Sequence, residues 1–107
     1  MSEEKILTLH PKGKKGTNIL KRRYDVIKDF ILETIKAHGE IAYQDLSDLA
    51  ERELKEFDGK PVWYIVTVKL DLEARGVIER VPKTSPHRVR FPLYSAAAEK
   101  PKSIDKF

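Results

Sequence analysis

PVWYIVTVKLDLEARGVIER, from Pro61 to Arg80, is the stretch from which the rest of the chain can be ordered. Proline is preorganised for a first helical position, where it has no amide bond to lose. Gly76 stands where a left-handed residue commonly closes a helix. The segment therefore predicts a helix from Pro61 to about Arg75, followed by a strand from Val77 to Val81. At about 100° per residue, Ile65, Val68 and Leu72 share one face, and Trp63, Val66 and Leu70 share a second. The first face is read as core. The second is either covered by the N-terminal segment, through Ile6, Leu7 and Leu9, or is a contact surface for another chain. The stripe left for solvent is Lys60, Tyr64, Thr67 and Asp71, with Arg75 at its edge.

Upstream, Tyr24, Ile27, Ile31 and Ile35 recur at helical spacing from Lys21 to the stop at His38-Gly39. Val26 and Phe30 add apolar surface to the other side of this helix, and the N-terminal segment is the expected cover. Ile41 suits a short strand-like contact. Leu46, Leu49, Ala50 and Leu54 then mark a second helix, with Asp45, Asp48, Glu51 and Glu53 on its wet side. Downstream, Val77–Val81 and the alternation of Val89, Phe91 and Leu93 with Arg88, Arg90 and Pro92 flank the turn residues Lys83-Thr84-Ser85-Pro86, which is a hairpin pattern. The order helix, short strand, helix, helix, strand, turn, strand predicts a mainly α chain with a small β-sheet (α+β). That is a three-helix winged helix-turn-helix with a C-terminal β-hairpin wing. Residues 1–18 read as an extended basic arm, 19–94 as the domain and 95–107 as a mobile tail.

LEARGVIERV, Leu72 to Val81, resembles the passage from recognition helix to wing in winged-helix regulators. Together with HPKGKKG, the Trp63-Tyr64 pair and TVKLDLEARGVIER, the chain is similar, from about Leu9 to Phe91, to a small bacterial winged-helix family of unknown function. The resemblance implies the fold and leaves the activity open, since winged helices serve both nucleic-acid binding and protein docking.

The 107 residues suffice for one domain. Cysteine is absent, which excludes disulfides, thiolate metal sites and cysteine nucleophiles. No apolar run approaches the ~20 residues of a membrane span, and a cytoplasmic location is expected. The net charge of +4 is unevenly spread. Residues 1–23 hold seven Lys/Arg against two acids, 24–81 eight against thirteen, and 82–107 six against two. A slightly acidic body thus sits between basic flanks, as expected where the flanks meet a polyanion.

These flanks supply the candidate site. Lys12, Lys14, Lys15, Lys21, Arg22 and Arg23 fall in a stretch without acids, and glycines there let the backbone approach a phosphate. Lys83, His87, Arg88 and Arg90 lie at the turn and on the outward side of the wing. Lys60, Tyr64 and Thr67 could donate to phosphates or bases from the third helix. The chain is accordingly expected to bind nucleic acid, double-stranded DNA ahead of duplex RNA, in the manner of a transcriptional regulator. The alternative is a protein partner or a homodimer held by Trp63, Val66 and Leu70. Gly13-Lys14-Lys15-Gly16-Thr17 lacks the loop length of a nucleotide-binding P-loop. His10, His38 and His87 have neither metal-site nor triad spacing, so no catalytic residue, metal, cofactor or small-molecule substrate is expected.

Overall fold

The computed structural model describes residues 3–92; the tail read as mobile from residue 95 lies outside the described residues. Among the described residues the chain is an α+β domain of three helices and two small antiparallel sheets. Strands β1 (Lys5–Leu7) and β2 (Asn18–Leu20) pair ahead of helix α1 (Lys21–His38). Then follow β3 (Glu40–Ala42), α2 (Tyr43–Glu53), α3 (Pro61–Ala74), β4 (Glu79–Arg80) and β5 (Arg88–Arg90). The second sheet has the order β3-β5-β4. Among the described residues no helix is long and apolar enough to cross a membrane.

Helix α1 buries Tyr24, Ile27, Ile31 and Ile35, the four residues its spacing selects. They meet Leu46 and Ala50 of α2, Ile65, Val68 and Leu72 of α3, and Ile41, Ile78 and Val89 from the second sheet and its approach. Helix α3 ends as its sequence dictates. Gly76 takes φ +76°, its amide donates to Glu73 O at 3.1 Å, and the Val77 amide donates to Leu72 O at 2.9 Å. This paired closure satisfies two carbonyls that would otherwise be bare, and it turns the chain into the strand region.

Three expectations need correction. The segment read as an extended arm is a hairpin, because Ile6 and Ile19 pair across it and Ile19 reaches the core. Its closing residues are locked: the Thr8 amide donates to Thr17 O at 3.0 Å, and the Thr17 amide to Thr8 Oγ1 at 3.0 Å. A Cβ on Gly16 would lie 1.7 Å from Thr8 O, so only glycine fits there without backbone movement. Second, the hairpin does not cover Val26. That residue stays 47% exposed, and with Leu54 and Phe57 it lines a cavity of about 400 Å³ between α1 and the loop before α3. Third, the apolar alternation expected of Val89 and Phe91 stops at Val89. Strand β5 lies between β3 and β4, with Val89 fully buried and Arg88 and Arg90 on the outer side, and Phe91 is exposed.

Hairpin, α1 and α3 converge on Asp71, which is fully buried. Its carboxylate accepts the Tyr24 hydroxyl, the Leu9 amide at 2.8 Å and Arg75 Nε at 2.9 Å to each oxygen. Burial and the adjacent carboxylate push the Tyr24 phenol well above its ordinary range. A buried carboxylate is tolerable only when its lone pairs are filled in this way.

Asp71→Ala is therefore expected to lower stability by about 2–3 kcal/mol in urea denaturation. It should also deprotect the Leu9 amide in hydrogen exchange; a Leu9 amide as protected as in the parent would remove Asp71 as the hairpin's anchor. Gly16→Ala is expected to cost about 1–3 kcal/mol by overpacking against Thr8, and its exchange effects should be confined to residues of the hairpin.

Candidate interaction surface

The basic residues selected from the sequence divide into two groups. Lys21 pairs with Asp25 at 2.8 Å, and Arg22 with Glu3 at 2.7 Å. Arg23 donates to Asp58 at 2.7 Å and to the Tyr64 hydroxyl at 2.9 Å. Arg23 first, and then Arg22, hold the Asp58 carboxyl below its usual range. On the outer side of the second sheet Arg88 pairs with Glu40 at 2.6 Å and Arg90 with Glu79 at 2.7 Å. These five cations are engaged within the chain. Lys12, Lys14, Lys15, Lys60 and Lys83 are exposed and make no ion pair among the described residues.

Lys12, Lys14 and Lys15 lie in the loop joining β1 to β2. Gly13 turns this loop at φ +74°, and its amide donates to His10 O at 2.9 Å. The loop stands over the C-terminal half of α3. Lys12, Lys14, His10 and Pro11 share a cavity of about 390 Å³ with Leu70, Glu73 and Arg80. Arg80 pairs in register with Val89, which places it on the sheet side that faces α3. Arg80 lies outside the set of cations selected from the sequence. Its signal is a place one residue beyond Glu79 on an alternating strand, which sends it to the side opposite Glu79. A second cavity of about 450 Å³ on the other flank of the loop is lined by Leu7, Leu9, Lys14, Lys15 and Ala74 among others.

Helix α3 contradicts the solvent stripe expected of it. Tyr64, 9% exposed, and Asp71 point inward, and Lys69 is 1% exposed; of that stripe Lys60 is open and Thr67 half-buried. Outward instead are Val62 and Trp63, both exposed, with Val66, Leu70 and Ala74 half-buried and only Thr67 and Glu73 polar. Trp63 is 44% exposed, and Leu7 and Leu9 on the hairpin are 55% and 44% exposed. The helix therefore turns three polar residues inward beside Ile65, Val68 and Leu72, and is mostly apolar on the face that leaves the fold. The hairpin lies beside the Trp63, Val66 and Leu70 face without closing it. Two apolar faces, Ile65/Val68/Leu72 and Trp63/Val66/Leu70, leave little of the circumference for polar residues, and that narrow remainder was the available sign that polar residues would be drawn inside.

The inward polar residues have specific partners. Lys69 pairs with Glu73 at 2.5 Å and lies 5.5 Å from the centre of the Tyr43 ring. Tyr43 stacks on His87, with ring centres 5.2 Å apart, and its amide donates to His87 O at 3.0 Å. Burial lowers the Lys69 pKa against the opposing pull of Glu73. His87 is lowered by burial and by the nearby charges of Lys69 and Arg80, with Glu73 opposing. His87 Nε2 is buried and has no hydrogen-bond partner among the described residues. His87 thus fastens the approach to β5 onto the start of α2, and Tyr64 caps the Arg23 guanidinium.

A depressed histidine pKa means the unfolded chain takes up a proton before the folded one, so stability is lost as pH falls below the ordinary value of 6.5. Urea midpoints at pH 7.5 and 5.5 are expected to differ more for the parent than for His87→Phe. Equal differences in the two proteins would remove His87 from this role.

No curated protein and no solved structure matches the chain. One family model does match, over residues 5–89, and the chain therefore belongs to the family described as "Family of unknown function (DUF6958)".

Proposed function

We propose that this chain is a winged-helix-type protein-docking module whose working surface is the outward face of α3, bordered by the β1–β2 loop and Arg80. The winged-helix reading rests on the element order, with α2 and α3 as the helical pair and β4 and β5 as the wing. The observation behind docking is the apolar outward side of α3: Val62, Trp63, Val66 and Leu70 face away from the core, while Tyr64, Lys69 and Asp71 turn into it beside Ile65, Val68 and Leu72. A helix that reads base edges needs donors and acceptors on that side, and here Thr67 is the main one left. Apolar side chains gathered on one surface gain when another chain covers them, and tryptophan is enriched where such interfaces concentrate their energy.

One observation favours nucleic acid as a second reading: Lys12, Lys14, Lys15 and Lys83 are free of ion pairs among the described residues. Such a site would position a double-stranded DNA backbone with little sequence preference. Three to four phosphate contacts would give a log-log salt dependence with slope of about −3.

A photo-crosslinking amino acid placed at 63, 66 or 70 in the native host tests the first reading. Discrete protein adducts are expected from these positions and none from position 51, on the exposed side of α2. Trp63→Glu should abolish the adducts from 66 and 70 while changing stability by no more than about 0.5 kcal/mol. Equal backgrounds at all positions, together with salt-dependent duplex binding that is lost in Lys14→Glu/Lys15→Glu, would replace docking by the nucleic-acid reading.

A further inference from the structure

We infer that the partner seated on α3 is an acidic amphipathic helix, with an apolar stripe for Trp63, Val66 and Leu70 and carboxylates for Lys12, Lys14 and Arg80. The inference rests on the docking reading above and adds the chemistry of the occupant.

Shape comes first. Trp63, Val66 and Leu70 lie at i, i+3 and i+7, a line about 10 Å long on one side of a helix. Trp63 at one end is open, whereas Leu70 at the other end is half-buried at the wall of the cavity between the β1–β2 loop and β4. The apolar line therefore runs from an open end at Trp63 into a groove at Leu70. A groove of this form accepts a rod with apolar residues at the same spacing, the manner in which amphipathic helices are bound.

Charge selects the kind of helix. Around Leu70 the groove presents Lys12, Lys14 and Arg80. Its one carboxylate, Glu73, is already held by the buried Lys69. The rim thus carries cations without counterparts, set beside an apolar floor. Asp or Glu on the flanks of a partner helix would meet them, and complementary charge of this kind raises both encounter rate and specificity. A second copy docked with groove facing groove would set this rim against itself, which like-charge repulsion opposes. A nucleic-acid duplex satisfies the rim but leaves Trp63, Val66 and Leu70 without apolar contacts.

Synthetic peptides and the full chain test this. The probe is a fluorescein-labelled helix of about 18 residues, with Leu at i, i+3, i+4 and i+7 and Glu on both flanks. Two controls keep either the Leu stripe with Gln flanks or the Glu flanks with Ser in place of Leu. In anisotropy titrations the Glu-flanked helix is expected to bind about tenfold more tightly than its Gln counterpart, as two exposed charge pairs would give. The Ser control should not bind. Lys12→Glu/Lys14→Glu, in an exposed loop where folding is not at stake, should erase the Glu preference; Arg80→Glu should do the same in protein whose thermal melt matches the parent. Trp63→Glu should abolish binding of both Leu peptides. Equal affinity for the Glu and Gln helices overturns the acidic partner and leaves docking intact. If no peptide binds and photo-crosslinking at 63 and 70 is also blank, both fall. Tighter binding of a random-sequence DNA duplex, of phosphatidylglycerol vesicles, or of a second copy, seen as a dimer by light scattering, likewise overturns the inference.

Discussion

A single buried carboxylate, Asp71, decides how this small domain is put together. Stripped of water, it must fill its lone pairs from the protein, and it does so from three directions: the Tyr24 hydroxyl of α1, the Leu9 amide beyond β1 and Arg75 on its own helix. The Leu9 bond is the one that matters for shape. It holds the N-terminal hairpin beside α3, and the lysine loop between β1 and β2 then has no choice but to overhang the C-terminal half of that helix. The positive rim on one side of the groove is thus a geometric consequence of satisfying an anion in the interior. The opposite side of the groove depends on Gly76, whose left-handed turn directs the chain into β4 and places Arg80 across from Lys12 and Lys14.

Helix α3 explains why the outline of the fold was legible in the sequence and its surface was not. Caps and periodicity are local: Pro61 and Gly76 bracket the helix, and the Ile65, Val68 and Leu72 spacing finds the core without any knowledge of the rest. Which way Tyr64, Lys69 and Asp71 turn is not local. Each goes inward because a partner distant in sequence awaits it: Arg23 for Tyr64, Tyr24 and Leu9 for Asp71, and the Tyr43 ring for Lys69. Rules that send polar residues outward assume that water is the best partner on offer, and here the fold supplies better ones.

Charge follows the same division. The flanks were readable as basic from counts alone, but Arg22, Arg23, Arg88 and Arg90 find acids on other elements, while Lys12, Lys14 and Lys15 do not. The difference lies in where the residues are anchored. Those on a helix or strand are held near acidic neighbours such as Asp58, Glu40 and Glu79, whereas Lys12 and Lys14 on the loop share their groove with one carboxylate, Glu73, which Lys69 already holds. Guanidinium groups, with their planar fork of donors, also suit fixed pairing within a fold, whereas lysine remains a mobile, hydrated charge.

The position of β5 has a kinetic side. Its strand comes last in sequence yet lies between β3 and β4, with Arg90 paired to Glu40 across fifty residues of chain and to Glu79 across eleven. Neither outer strand has a sheet partner until the central one arrives, so the three-stranded sheet cannot assemble stepwise from its first strand. The helices can collapse on local contacts, but the sheet must wait for a long loop to close, an entropic toll that slows folding. During synthesis the domain would therefore reach the end of its helical portion with Ile41 and Ile78 still lacking the cover of Val89, and be completed only when that residue leaves the ribosome.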